Sequence, residues 1–423
     1  MYLRNGRFNM KNRRRRGNPL RIGILVLLIG AGFYINKVVV PTVPPLFIPT
    51  PTATRPPESY VTDAEKLLGE GKLFQAVDMY EKAVQADPAN AGNYVALART
   101  QIYLSRYDEA LDNLGKSLLV NENNPLAYAL RGWALGFQGD YLAAITALRR
   151  SIELSPNNSV AYAYLAEVYG LQYESNPAIA GIIDEAIANA AKARDLDPNS
   201  LETNRARGYV QWLLANYTDA VQYYTAAINI NPYIADLHIA LGIVYSTDSV
   251  NEYSLALKEF QEAELLNPAN PTPDYQLSVV YQKMGEYATA IQYAEKAVAI
   301  EPTNQYYYGN LGTLYFRNKN FTKAAEILGL IIHGGTSESG VVVEPLPLDY
   351  GVTASYFARY GISQAYKGEC GEALKISQAL MDTVGSDENN VYNANEIVNI
   401  CQDVASRIGA GTKEATAEVT PEP

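Results

Sequence analysis

The chain has 423 residues and a formal net charge of −11, and the charge is unevenly placed. Ten Lys or Arg and no Asp or Glu precede Glu58; from there on 24 basic residues face 45 acidic ones, a net of −21. So acidic a body repels phosphate backbones and speaks against a nucleic-acid partner, while two His and two Cys are too few for a zinc or haem framework.

Residues 1–21 form a basic head with Arg4, Arg7, Lys11, Arg13, Arg14, Arg15, Arg16 and Arg21. An apolar run follows over 22–35, is interrupted by Asn36 and Lys37, and resumes at Val38. As a helix, residues 22–40 would be about 28 Å long, enough to cross a hydrocarbon core of about 30 Å with Lys37 snorkelling at the far end. The basic flank then places the N-terminus in the cytoplasm and the body outside, on a single-pass anchor in the cell membrane. A cleaved signal peptide is the other reading. Its small-residue cleavage site would have to be Gly30, Ala31 and Gly32, inside the apolar run, so an uncleaved anchor is favoured. Residues 41–57 are a Pro/Thr-rich spacer with no capacity to pack a core.

The body, 58–408, repeats one pattern. In residues 139–156, GDYLAAITALRRSIELSP, Gly139 and Asp140 are turn residues and Asp140 can cap a helix. Tyr141, Ala144, Leu148 and Ser151 share one helix face, and Pro156 ends the helix. Aligned on its second alanine, the register is Ala76, Ala110, Ala144, Ala186, Ala220, Ala256, Ala290, Ala324 and Ala373. The steps are 34, 34, 42, 34, 36, 34, 34 and 49 residues. Three positions earlier stands a large residue, most often Tyr; twelve earlier a small one, from Ala64 to Gly361; twelve later, in six repeats, a proline.

These columns resemble the tetratricopeptide repeat, a 34-residue pair of helices. The resemblance implies an all-α fold: a right-handed α-α superhelical solenoid of about nine helix–turn–helix repeats plus a capping helix. The small residue and the alanine would let the paired helices approach closely, and the large residue would fill the wedge between pairs. No pair buries its apolar face alone, so stacking must do it.

Some repeats depart from the pattern. The second has Glu122 in the proline column and Pro125 three later, predicting a different exit turn. The fourth carries eight extra residues between its helices around 170–181, and the sixth two extra around 246–251. Residues 333–351 form a long connector, readable as a mobile loop or as a flap over the groove. Residues 387–408 read as one more helix, a polar cap, and 409–423 as a disordered tail.

Cys370 takes a wedge position and Cys401 lies near the end of the capping helix. Antiparallel running of those two helices brings the cysteines together, as a disulfide in an oxidising compartment or as buried thiols in a cytoplasmic body. His238 shares a column with Tyr60, Tyr94 and Tyr128 and is expected to be packed; His333 opens the long connector. No phosphate loop, nucleophile elbow, metal cluster or acid/base pair stands out, so no catalytic residue, metal or cofactor is expected.

In the resembled family the first helix of each pair lines a concave groove. That face implies Arg99, Tyr103, Trp133, Phe137, Arg205, Tyr209, Trp212, Tyr275, Tyr306, Phe316 and Arg317 as ligand-groove residues. The expected function is a non-enzymatic, membrane-anchored scaffold holding a protein or peptide segment in that groove. Two alternatives keep the architecture: a glycan or cell-wall ligand stacked on the aromatic rings, or a structural part in an envelope assembly. An enzyme would need a further domain.

Overall fold

The structure is a computed structural model and describes residues 18–39 and 55–417. The chain divides into two units, Met1–Arg55 and Pro56–Pro423.

In the first unit, α1 (Pro19–Tyr34) passes into a π-helical turn, Ile35–Val39. The Asn18 side chain accepts from the Leu20 amide at 3.1 Å, and Pro19 takes the first helical position, where its missing N–H costs nothing. The apolar helix is Pro19–Val38, 20 residues long, with every side chain over 18–38 exposed. It begins three residues before the expected span of 22–40, because Asn18 and Pro19 supply a start signal ahead of the apolar run. The basic head up to residue 17 and the spacer over 40–54 lie outside the described residues.

The second unit is a run of helical hairpins. They are α2 (Pro57–Gly69) with α3 (Leu73–Ala86), α4 (Ala91–Tyr103) with α5 (Tyr107–Val120), and α6 (Pro125–Phe137) with α7 (Tyr141–Leu154). Next come α8 (Ser159–Ser175) with α9 (Ile182–Leu196), α10 (Leu201–Leu213) with α11 (Tyr217–Ile230), and α12 (Ala235–Ser246) with α13 (Tyr253–Leu266). Then follow α14 (Thr272–Lys283) with α15 (Tyr287–Ile300), α16 (Gln305–Arg317) with α17 (Phe321–His333), and α18 (Val352–Tyr366) with α19 (Cys370–Val384). The cap, α20 (Glu388–Ala417), closes the array. These are the nine pairs and the cap that the register predicts.

Two features recur along the array. First, the residue five before each register alanine is left-handed: Gly71, Ser105, Gly139, Gly181, Ala215, Asn251, Gly285, Lys319 and Gly368 all have positive φ. Four of these nine are not glycine, so the turn imposes the conformation even where a Cβ opposes it. Second, at Gly132, Gly208, Gly242 and Gly312 the small residue of the first helix faces the side chain one turn beyond the register alanine. A Cβ on Gly242 would meet the Phe260 ring at 2.6 Å, and one on Gly132 would meet Leu148 at 2.5 Å and the Ala144 carbonyl at 2.7 Å.

The exit turn of the second repeat does not differ from the others. Asn121 has φ −139° and ψ 94°, against −139° and 82° for Asp87 in the first repeat. Each side chain accepts from the amide two residues on, at 3.2 Å. An Asx turn, not the proline, sets this bend, and Pro125 is simply the first residue of α6. The insertion in the fourth repeat is partly helical: it lengthens α8 to 17 residues and leaves only 176–181 as loop. His238 is packed, its Nδ1 at 2.7 Å from Glu259 Oε2 and its Nε2 at 2.9 Å from the Pro232 carbonyl. Burial works to lower its pKa, but these two acceptors outweigh it and hold the imidazole above its usual value.

The connector after α17 is neither a free loop nor a flap over the inner groove. Strands β1 (Gly335–Thr336) and β2 (Val342–Val343) pair antiparallel. Val343 and Leu346 are buried, the Leu346 amide donates to the Ile331 carbonyl at 2.7 Å, and Gln305 donates to the Glu344 carbonyl at 2.6 Å. The hairpin therefore docks beside α16 and α17, where it walls a cleft of about 820 Å³ shared with α15. Helix α20 runs through Ala417, past residue 408 where the expected cap ends, so Cys401 lies mid-helix. Cys370 and Cys401 form a disulfide, with Cα atoms 5.6 Å apart.

Gly242→Ala is expected to cost about 1–3 kcal/mol by overpacking against Phe260, whereas Ala215→Gly, which relieves a left-handed alanine, should stabilise by about 1 kcal/mol. Urea unfolding of the two variants beside wild type checks both signs.

Candidate functional site: the inner channel

The solenoid winds tightly enough to touch itself. Asn267, at the end of α13, is fully buried and donates its Nδ2 to the Leu104 carbonyl at 3.2 Å, across 163 residues of sequence. At Gly71 an added Cβ would sit 2.5 Å from the Tyr233 ring. Turns of the first two repeats thus pack against the segment from the end of the fifth repeat through the sixth. The groove becomes a channel.

Its cavity, about 390 Å³, is lined from the second repeat to the start of the eighth. Apolar walls come from Phe137, Leu171, Leu237, Ile239, Ala240 and Ile243; Tyr107, Tyr209, Tyr224 and Tyr307 add rings with polar tips. The size falls in the range of ligand pockets, and the mixture of apolar wall and few polar groups is typical of them.

The charged groups of the wall are chained. Trp133 Nε1 donates to Glu167 Oε2 at 2.9 Å, and Arg205 Nε donates to the same oxygen at 3.1 Å. Arg205 Nη2 then reaches Asp236 at 3.6 Å. One network so ties α6, α8, α10 and α12, the first helices of four consecutive repeats. Trp133 stacks on Tyr164 at 4.3 Å between centroids, and the Arg205 guanidinium lies 4.5 Å from the Trp133 ring. Burial pushes Glu167 and Asp236 above the usual carboxylate range, against the pull of Arg205. For Arg205, burial acts to lower the pKa, and Glu167 and Asp236 overcome it. Two carboxylates and one guanidinium leave this wall acidic, and Glu301 adds to it. Among the described residues, no group of three or more potential metal ligands comes together.

Family models for the tetratricopeptide repeat match residues 67–134 and 281–334, and a second such model matches 126–158 and 206–233. The chain carries tetratricopeptide repeats. It is 25% identical to the BBSome complex member BBS4 of Bos taurus over 240 residues, 56% of this chain and 44% of that protein. It is 22% identical to a TPR repeat-containing protein of Methanocaldococcus jannaschii over 277 residues, 61% of this chain and 47% of that one. The chain thus spans less than half the length of these relatives. Among solved structures, the APC/C hetero-tetramer Cut9–Hcn1 superposes with a TM-score of 0.57 at 17% identity, covering 79% of this chain and 59% of that chain. That likeness concerns the fold.

The tetratricopeptide repeats place the sequence-predicted groove residues in several settings. Trp133, Tyr103 and Arg205 are buried. Trp133 is wholly covered by the stack and the network, so it holds the channel wall and offers no free face. Burial first of all pushes Tyr103 up to about 12. Phe137, Arg205 and Tyr209 line the channel, and the Tyr209 hydroxyl donates to Glu174. Trp212 is half-buried, stacked on Tyr209 at 6.0 Å, and Arg99 is half-buried on α4. Tyr275 meets Tyr307 at 5.4 Å, whereas Tyr306 is half exposed and turned away from the cavity. Phe316 and Arg317 belong to a separate pocket at the far end of the array. Tyr107, Tyr224, Tyr307, Glu167 and Asp236 escaped the sequence reading. Tyr107 stood in the wedge column, so a packing role hid its exposure to the channel.

Beside the channel, Asp274 on α14 is buried with Lys296 Nζ at 3.7 Å. Burial first, then Glu264, raise its pKa to about 6, against Lys296. A carboxyl raised on folding stabilises most below its unfolded pKa and loses that contribution as pH rises through the folded value. Asp274→Asn should therefore gain on wild type by up to about 3 kcal/mol between pH 4 and pH 7, a rise of about two pKa units, in denaturant titrations at each pH. Asn267→Ala, which leaves the Leu104 carbonyl unpaired, should lower stability by about 1–3 kcal/mol and raise the radius of gyration in solution scattering as the channel opens.

Proposed function

We propose that this chain is a membrane-anchored, non-enzymatic interaction scaffold whose tetratricopeptide repeats hold a partner polypeptide segment inside the closed channel. The observation that carries the reading is the closure itself. Asn267 and Tyr233 convert an open trough into a cavity of about 390 Å³ with aromatic walls and an acidic lining. A segment there would be enclosed on several sides, so apolar side chains gain burial against Ile243 and Tyr307, and basic or amide groups meet Glu167, Asp236 and Glu301. A relative named as a member of the BBSome complex accords with a role in assembly.

The anchor is the helix Pro19–Val38, apolar enough and long enough to cross a membrane. Its basic flank favours a cytoplasmic N-terminus, with the repeats on the far side. The Cys370–Cys401 disulfide supports that side, because such bonds persist in oxidising compartments. In the chain-entropy model, closing the 31-residue separation is worth about 3–4 kcal/mol.

The test is co-purification of partners from detergent-solubilised membranes, wild type against Tyr307→Ala with Ile243→Ser, both of which line the cavity without joining the buried network. We expect the variant to lose the partners that wild type retains while keeping its melting temperature within a few degrees. An unchanged partner set would remove the channel from the function. Protease treatment of intact cells before solubilisation, expected to digest the repeats and spare the N-terminus, checks the topology.

A further inference from the structure

The step from Ala324 to Ala373 is 49 residues against the usual 34, and the surplus builds the β1–β2 hairpin. These are the only strands among the described residues. The groove between the second helices α15 and α17 therefore has a wall that no other pair of second helices has. The cleft so formed, about 820 Å³, shares no residue with the inner channel: on α16, Tyr307 lines the channel, whereas Tyr308, Leu311 and Tyr315 line the cleft. Its size falls within the range of binding pockets. The floor is apolar, with Val298 and Ala299 of α15, Leu311 of α16, and Ile327 and Leu330 of α17.

The hairpin presents a strand edge to this cleft. Every residue from Gly334 to Ser339 borders the cleft, but neither Val342 nor Val343 does, so β1 is the strand at its margin. A Cβ on Gly335 would lie 3.3 Å from Leu330, which seats β1 directly on α17. The Ser337 amide donates across the hairpin to the Val341 carbonyl at 2.8 Å. Backbone groups of successive residues in a strand point to opposite sides, so the N–H and C=O of Thr336 point away from β2. Thr336 is exposed, and an exposed strand edge is a template for a further strand. The rim is acidic. Lys323 lies 3.0 Å from Glu326 and 3.5 Å from Glu338, and Glu295 accepts from the Tyr315 hydroxyl at 2.7 Å. Three carboxylates thus share one ammonium, while His333 is turned to Tyr360 at 3.0 Å and to Glu372 at 3.3 Å.

We infer that the hairpin cleft binds an extended basic segment of a partner polypeptide: its backbone adds to the edge of β1 at Thr336, alternate apolar side chains enter the cleft, and Lys or Arg side chains meet Glu295, Glu326 and Glu338. An extended chain fits these features better than a helix, whose backbone groups are already paired and would leave the β1 edge unused. The acidic rim selects a basic chain over an acidic one. The inference stands without the channel reading.

The test uses the full chain in nanodiscs of zwitterionic lipid and a short fluorescent peptide of alternating Lys and Val. Two counterparts accompany it: the same peptide N-methylated at every amide, which keeps charge and side chains but cannot pair as a strand, and a Glu–Val peptide. The Lys–Val peptide should bind at least roughly tenfold tighter than either. Thr336→Pro removes the outward N–H and leaves the bonds to β2 intact, and should weaken binding roughly tenfold. Ala299 is exposed on α15, so Ala299→Trp fills the cleft without disturbing the core and should weaken binding as much, even where the proline variant distorts the hairpin. The channel variant Tyr307→Ala should keep the binding. Equal affinity for the plain and N-methylated peptides, or undiminished binding by Ala299→Trp, would overturn the inference. So would displacement of the labelled peptide by hexylamine as readily as by unlabelled peptide, which would mark a small-ligand pocket instead.

Discussion

The architecture depends on how closely two short helices can cross within each pair. At Gly208 the facing side chain is Tyr224, at Gly242 it is Phe260, and at Gly132 and Gly312 it is a leucine; in each case an added Cβ would come within 3 Å. A glycine in the middle of a helix is unfavourable by itself. It is tolerated here because it lets a large apolar side chain lie flat against the first helix, which buries more surface than the glycine forfeits. The left-handed residue before each second helix then sets the angle at which the two helices meet. With these two constraints repeated along the array, curvature follows with no further instruction.

Curvature leads to the property that separates this molecule from a simple stack. In an open solenoid each repeat touches only its neighbours, and stability is a sum of local terms. Here Asn267 and Tyr233 reach back to Leu104 and Gly71, so distant repeats are linked directly. The buried network of Trp133, Glu167, Arg205 and Asp236 runs along the wall that these contacts enclose. Buried ion pairs add little net stability compared with apolar packing, but removing one member leaves a charge stranded. The network therefore acts mainly to hold the spacing of four consecutive repeats, and so the bore of the channel.

The fold was legible in the sequence because its columns answer to short-range geometry. A small residue, an alanine and a large residue recur at one period, and that period names the pairs and the cap. What escaped was whatever depends on winding. Nothing near Asn267 in the sequence announces Leu104, 163 residues away. Trp133 looked like a recognition side chain because aromatic residues on first helices face inward. Only the curvature shows that Tyr164 and Arg205 cover it. The left-handed column was also hidden, since Ser105, Ala215, Asn251 and Lys319 break the glycine pattern that would have revealed it. The connector over 333–351 looked featureless because its two strands are only two residues long and its anchors are single side chains, Val343 and Leu346.

Charge placement gives the channel and the end pocket different characters. At physiological ionic strength, exposed charges are screened beyond about 8 Å, so the acidic surface of the body acts mainly on what comes close. Buried groups are screened far less. Inside the channel Glu167 and Asp236 share one arginine; the end pocket is lined by Arg317, Lys319 and Arg359 beside Glu396, and among the described residues none of these three cations forms an ion pair. A uniform repeat would make every stretch of the inner wall alike. Substitutions at a few inward positions, on helices whose packing columns stay constant, are enough to turn one wall acidic and another basic. The packing columns and the cavity-lining positions coincide at Tyr107, in the wedge column, and at Tyr224, which packs on Gly208, so a change at either of these alters packing and cavity wall together.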